Sequence, residues 1–231
     1  MLFKKQSRHN NRPLNKEISQ MKQFAKTLAP GALTVALTVA ITAFVAVPVF
    51  ASVQIGKAAP NFTLTDTNGK THSLSEFKGK TVVLEWLNHD CPYVVKHYDG
   101  KNMQSLQKTY TDKGVVWLSI NSSADGKQGN FPPEKANALT KEKGAHPTAV
   151  LLDAKGDVGK LYGAKTTPQM FVINPEGILA YNGAIDDKPT TDQDDLKGAK
   201  NYVASALDEI TAGKAVSVAS SKPYGCGVKY P

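Results

Sequence analysis

The chain has 231 residues, 28 Lys/Arg against 20 Asp/Glu, a formal net charge of +8 and two cysteines. The positive excess lies in the first 51 residues, with seven basic side chains and one acidic; the other 180 residues carry 21 basic and 19 acidic side chains. That near balance gives no electrostatic case for nucleic-acid binding, and cysteines as far apart as Cys91 and Cys226 exclude a zinc ribbon or a Cys-x-x-Cys dithiol motif.

In chain order, a basic segment from Lys4 to Lys26 precedes the almost uncharged stretch Leu28 to Val47, which ends in Pro48-Val49-Phe50-Ala51. This order predicts a secretory signal cut after Ala51, with Met21 as an alternative start. An uncleaved anchor is the other reading, since about 20 apolar residues span a bilayer. Pro30, Gly31 and Pro48 count against a continuous spanning helix. Either way the globular part is expected outside the cytoplasm, in a periplasm or its equivalent. The boundaries are 1–51 for the leader, 52–213 for one domain and 214–231 for a tail.

Phe62 to Asp66 alternates apolar and polar residues, and Asn68-Gly69 then predicts a hairpin whose second arm begins at Thr71. Ser75 to Gly79 reads as a short capped helical turn. Thr81 to Leu87 is nearly continuous apolar sequence, as in a strand buried on both faces. Pro92 follows Cys91 where the first helical residue belongs, and the helix runs with breaks to about Tyr110. Val115–Ile120 and Thr148–Asp153 read as strands, Pro133–Lys143 and Val158–Tyr162 as helices. Gln169–Ile173 and Ile178–Tyr181 flank the turn Asn174-Pro175-Glu176-Gly177. Leu196 to Ala212 has a helical apolar stripe of Tyr202, Ala206, Leu207 and Ile210. The order predicts an α/β domain, a mixed sheet with helices on both faces and an N-terminal hairpin.

Three side chains stand out chemically. Cys91, at a helix N-terminus, meets the positive end of the helix dipole and free N–H groups, which favour thiolate over thiol. Pro92 has no N–H, so the donors are expected from Tyr93 and Val94. Glu85 is the one charge within Val82–Leu87, where it is either buried with a raised pKa or at a sheet surface paired with a Lys. Cys226, between Gly225 and Gly227, lies on a tail that can fold back toward Cys91 as a resolving thiol, as half of a static disulfide, or not at all. His89 and His97 flank Cys91, but on an ideal helix His97 is turned well away from it, so no metal is expected. His72 and His146 read as ordinary loop residues. No cofactor is expected.

Ala59-Pro60-Asn61-Phe62, Leu74-Ser75-Glu76-Phe77-Lys78-Gly79 and the Val-rich strand into Cys91-Pro92 resemble the opening of the redoxins, the AhpC/TSA peroxiredoxin-like branch of the thioredoxin superfamily. Tyr162-Gly163 through Thr167-Pro168 to Gly177 resembles their second motif, and the match covers roughly 53–212. The resemblance implies a thioredoxin-like fold, a cis Pro168 facing Cys91, Thr167 beside the sulfur, and Glu85 as the buried carboxylate that accepts protons. It also implies a thiol-dependent oxidoreductase acting on a thiol/disulfide protein or a small hydroperoxide, with an electron donor that the chain does not identify. Substrate contacts are expected at Thr167, Pro168, Pro92, Asn88 and Tyr93. Two departures matter. The second thiol of Cys-x-x-Cys is replaced by Val94, and the peroxiredoxin Thr and Arg are replaced by Asn88 and by no arginine at all in residues 52–231. The reading from another class is a non-catalytic binding or assembly factor for a metal or a client protein, favoured if Cys226 sits far from Cys91.

Overall fold

The computed structural model describes residues 53–231; the leader, its cut after Ala51 and the alternative anchor lie outside the described residues. Strands β1 (Thr63–Asp66) and β2 (Thr71–Ser73) form the expected hairpin. Gly69 sits in its turn at φ 81, a conformation that favours glycine. His72 is not a loop residue: it is buried on β2, with its two ring nitrogens bonded to Asp66 and Glu76. Glu76 also accepts from the Ser73 N–H, closing a capping box on the 3-10 turn Leu74–Phe77.

Strand β3 (Val82–Trp86) is buried at every residue, as its apolar run requires. The expected broken helix is two helices, α1 (Pro92–Asp99) and α2 (Asn102–Thr111). They part at Gly100, whose missing side chain admits Leu196, and at Lys101, which has φ 61. Next come β4 (Val116–Asn121), α3 (Pro133–Lys143), β5 (Ala149–Leu152) and α4 (Asp157–Tyr162). The strands β6 (Thr166–Thr167), β7 (Gln169–Ile173) and β8 (Leu179–Gly183) follow. Helix α5 (Tyr202–Thr211) starts later than the apolar stripe suggests, because Gly198 has φ 84 and Asn201 caps the helix by accepting from the Ala204 N–H. The chain closes with β9 (Cys226–Gly227).

Among the described residues, one sheet has the order β2-β1-β5-β4-β3-β7-β8, with β3, β4 and β5 parallel and the other pairings antiparallel. Side chains alternate across it, as strand geometry dictates. Val83, Trp117, Met170, Val172 and Tyr181 pack with Val94, Tyr98, Met103 and Leu207 of α1, α2 and α5. Val82, Leu84, Trp86, Leu118, Ile120 and Phe171 pack on the opposite face with Leu74, Val158 and Tyr162. The sheet therefore carries helices on both faces, as expected. No helix among the described residues is long and apolar enough to cross a membrane.

Candidate active site

Beyond β3, Leu87 still bonds to the Ile120 carbonyl, and the chain then turns so that the Cys91 N–H meets the Asn88 carbonyl. Cys91 is the N-cap of α1, with Pro92 at the first helical position and the Val95 N–H donating to its carbonyl. Its side chain is fully buried. The Cys91 Sγ lies 2.7 Å from Cys226 Sγ and 2.9 Å from the Thr167 carbonyl oxygen. No disulfide joins the two cysteines in this structure, and their sulfurs are close enough to form one with little movement.

Cys226 is held there by backbone pairing. β9 runs antiparallel to β6, with Thr167 opposite Cys226 and Thr166 opposite Gly227. Gly225 has φ 135, and a Cβ there would collide with the Thr167 carbonyl oxygen, so this approach requires glycine. Pairing continues as Val228 N–H donates to Lys165 O, Ala124 N–H to Lys229 O, and the Tyr230 hydroxyl to Ala164 O. The Thr167-Pro168 peptide is cis, as the resemblance implied.

The two thiols differ in acidity. Burial pushes Cys91 up, but the Cys226 thiol and the N–H groups of Val94 and Cys226 favour its thiolate and bring its pKa down from the ordinary value. Of the donors expected from the helix start, Val94 contributes. The Thr167 hydroxyl is buried and has no hydrogen-bond partner; the Thr167 atom that meets the Cys91 sulfur is the carbonyl oxygen. Cys226 is pushed up to about 11 by burial and by the Cys91 sulfur, against a smaller opposing pull from Lys229. Cys91 is therefore the more acidic thiol of the pair, and Cys226 the one that keeps its proton to higher pH.

Tyr93 packs its ring on Tyr224, with centroids 5.7 Å apart. Asn88 is buried, and its side chain is committed to neighbouring loops: the amide donates to Gln128 O and accepts from the Asp90 N–H. Glu85 is fully buried and accepts from the Tyr98 hydroxyl at 2.7 Å, Trp117 Nε1 at 2.8 Å, Ser119 Oγ at 2.8 Å and Gln107 Nε2 at 3.1 Å. Burial holds its carboxyl above the ordinary range against these four bonds. The alternative of a surface carboxylate paired with Lys is excluded. None of its four bonds reaches either sulfur. Burial lowers both His89 and His97 to about 4, leaving them neutral. No group of three or more potential metal ligands occurs among the described residues. Sequence reasoning gave no role to Lys96 on α1 or Asp186 after β8, which meet the Tyr224 ring and hydroxyl, nor to Tyr224 and Lys229 on the tail beside Cys226.

The chain matches the family model described as Redoxin over residues 54–201. It is 30% identical over 133 residues to thiol-disulfide oxidoreductase ResA of Bacillus subtilis (strain 168), covering 54% of this chain and 65% of that protein, just under two thirds of its length. It is 28% identical over 154 residues to the chloroplastic peroxiredoxin Q of Populus jackii, covering 63% of this chain and 68% of that one. Among solved structures it is similar to an uncharacterized conserved protein from Geobacillus kaustophilus, with TM-score 0.67 and 28% identity, over 77% of this chain and 93% of that one.

Proposed function

This chain belongs to the redoxin family and has the thioredoxin-like fold, and from that premise we propose that it is a thiol–disulfide oxidoreductase working through Cys91 and Cys226. One observation carries the reading: two cysteine sulfurs 2.7 Å apart, one with a lowered and one with a raised pKa.

The chemistry follows from that asymmetry. The Cys91 thiolate attacks one sulfur of a substrate disulfide; that S–S bond breaks, a mixed disulfide forms on Cys91, and the other substrate sulfur leaves as a thiolate and takes a proton. Cys226 then loses its proton and attacks the Cys91 sulfur. The Cys91–Cys226 bond forms and the second substrate thiolate leaves. Two electrons have passed from the protein to the substrate, and an external dithiol returns them by the reverse exchange. Cys91, as the more acidic thiol, is the better nucleophile near neutral pH and the better leaving group on reduction. Thr167 and Pro168 border the sulfur beneath the tail strand, so a substrate reaches Cys91 when that strand moves aside; Pro92 and Tyr93 shape the helix start, and Asn88 holds the adjoining loop. Glu85, with its raised pKa, takes the part of the buried proton holder on the strand that leads to Cys91.

A disulfide suits this site better than a hydroperoxide. Residues 52–231 contain no arginine to hold a peroxide, and Asn88 is spent on loop bonds. The tail lies against Cys91, so the arrangement that favours a non-catalytic factor is not the one observed. The basic and apolar order of residues 1–51 supports work outside the cytoplasm; N-terminal sequencing of protein from a fractionated host should find Ser52 first in the extracytoplasmic fraction.

The test uses purified reduced protein with a small-molecule disulfide and with hydroperoxide. Wild type should reduce the disulfide and accumulate a Cys91–Cys226 bond. Cys91→Ser should be inactive, and Cys226→Ser should stall as a mixed disulfide on Cys91. A Cys91 that reacts with neither substrate faster than free cysteine refutes the reading.

A further inference from the structure

The tail does more than pass by the thiols: the Tyr224 ring is inserted into a buried, charged seat two residues before Cys226. Its centroid lies 5.7 Å from that of Tyr93 and 6.4 Å from that of His97, the latter nearly stacked at 27°. The Lys96 ammonium stands 5.6 Å from the same ring. Lys96, His97 and Asp186 are all buried. His97 and Tyr224 form part of a continuous hydrogen-bonded chain. The Asn102 amide meets His97 Nδ1 at 2.8 Å, His97 Nε2 meets the Tyr224 hydroxyl at 3.0 Å, and that hydroxyl donates to Asp186 Oδ1. An amide donating to Nδ1 places the imidazole proton on Nε2, so the Tyr224 oxygen accepts from His97 and donates to Asp186.

This seat has no other use in the site. Asp186 Oδ1 also receives the Lys188 N–H, Asp186 Oδ2 has no partner, and Lys96 Nζ donates to the Lys188 carbonyl. Two buried opposite charges and a buried imidazole thus converge on one phenol from the tail. A phenylalanine there would leave His97 and Asp186 each short of a partner, which buried polar groups tolerate poorly. The tail needs such a fixing point. The tail is pinned upstream at Ser221, whose N–H donates to Asn182 O and whose Oγ meets Tyr181 and Ala184, and downstream at Val228; between these points Tyr224 is the side-chain anchor that stands nearest the thiol. With Tyr224 seated, only Gly225 intervenes between the anchor and the thiol.

We infer that Tyr224 is the positioning residue of the thiol pair, its ring seated among Tyr93, Lys96 and His97 and its hydroxyl bridging His97 to Asp186, so that Cys226 is presented to Cys91. This inference rests on the pairing under Proposed function. It gives Tyr224 two coupled effects: it raises the local concentration of Cys226 at Cys91, and it keeps the tail over Cys91, limiting access from outside. A residue that only adds stability would do neither.

The test equilibrates full-length wild type, Tyr224→Phe and Tyr224→Ala with reduced and oxidised glutathione and measures the fraction of Cys91–Cys226 disulfide. Tyr224→Phe, which keeps the ring and loses both hydroxyl bonds, should lower the equilibrium constant for disulfide formation about tenfold. Tyr224→Ala, which also loses the packing of the ring, should lower it further, about thirtyfold, as the segment between Ser221 and β9 loosens. In both, the limiting iodoacetamide rate of reduced Cys91 at high pH, where the thiol is fully ionised and access alone decides, should rise, the opposite direction from disulfide formation. Circular dichroism checks that each variant is folded; if the alanine variant is not, the phenylalanine variant decides. Unchanged equilibrium and alkylation in the folded variants overturns the role of Tyr224 while leaving the oxidoreductase reading intact. A wild-type protein that forms no Cys91–Cys226 disulfide in oxidised glutathione overturns the pairing itself.

Discussion

Cys91 and Cys226 share nearly the same place, yet the Val94 and Cys226 N–H groups favour ionisation of one sulfur, while burial and the neighbouring Cys91 sulfur oppose it at the other. That difference has a direct pH signature. A thiol alkylates in proportion to its thiolate, and free cysteine is half ionised near pH ~8.5. With its pKa lowered, reduced Cys91 should reach half its maximal iodoacetamide rate at lower pH than free cysteine. The Cys226 thiol makes the largest of the lowering contributions, so Cys226→Ala should move that midpoint upward. Glu85 belongs to the same scale. Glu85→Gln puts an NH₂ among four donors and leaves at least one of them unpaired, which should cost about 1–3 kcal/mol in urea unfolding. If Glu85 also holds the proton for the second step, resolution of the mixed disulfide by Cys226 should slow while the first attack keeps its rate. Cys91 and Glu85 were legible in the sequence because a buried strand and Cys-Pro are local patterns. The seat of Tyr224 was not, because Lys96, His97 and Asp186 gain meaning only when the sheet brings α1 and the loop after β8 together.

At the level of elements, the strong local signals read correctly: Asn68-Gly69 for the hairpin, Pro133 for the start of α3, the apolar runs of β3 and β4. The start of α5 was misread because Leu196 extends the apolar stripe, while the deciding signals are Gly198 and the Asn201 cap. The pairing of β6 with β9 left no trace in periodicity, since each strand has two residues and they meet from distant parts of the chain. The one sequence hint was glycine on either side of Cys226. Gly225→Ala tests what that glycine is for. A side chain at φ 135, pressed against the Thr167 carbonyl, should destabilise the docked tail by about 1–3 kcal/mol. The expected result is a smaller fraction of Cys91–Cys226 disulfide in glutathione buffers with little change in circular dichroism.

At the level of the whole molecule, the tail strand and Cys226 close a long loop on a domain whose core spans both faces of one sheet. Closing it covalently restricts the unfolded chain far more than the folded one, so the oxidised protein should be more stable than the reduced protein by about 2–4 kcal/mol in urea titrations. The central claim is that these two cysteines form one redox pair in one chain. It is tested most directly by mixing reduced protein with one equivalent of a small-molecule disulfide, quenching with acid, alkylating, and mapping the cysteines by mass spectrometry. A redox pair gives a near-stoichiometric peptide linked through Cys91 and Cys226, with both halves of the substrate released as thiols. A lasting adduct on Cys91 beside an alkylated, unreacted Cys226 would contradict it.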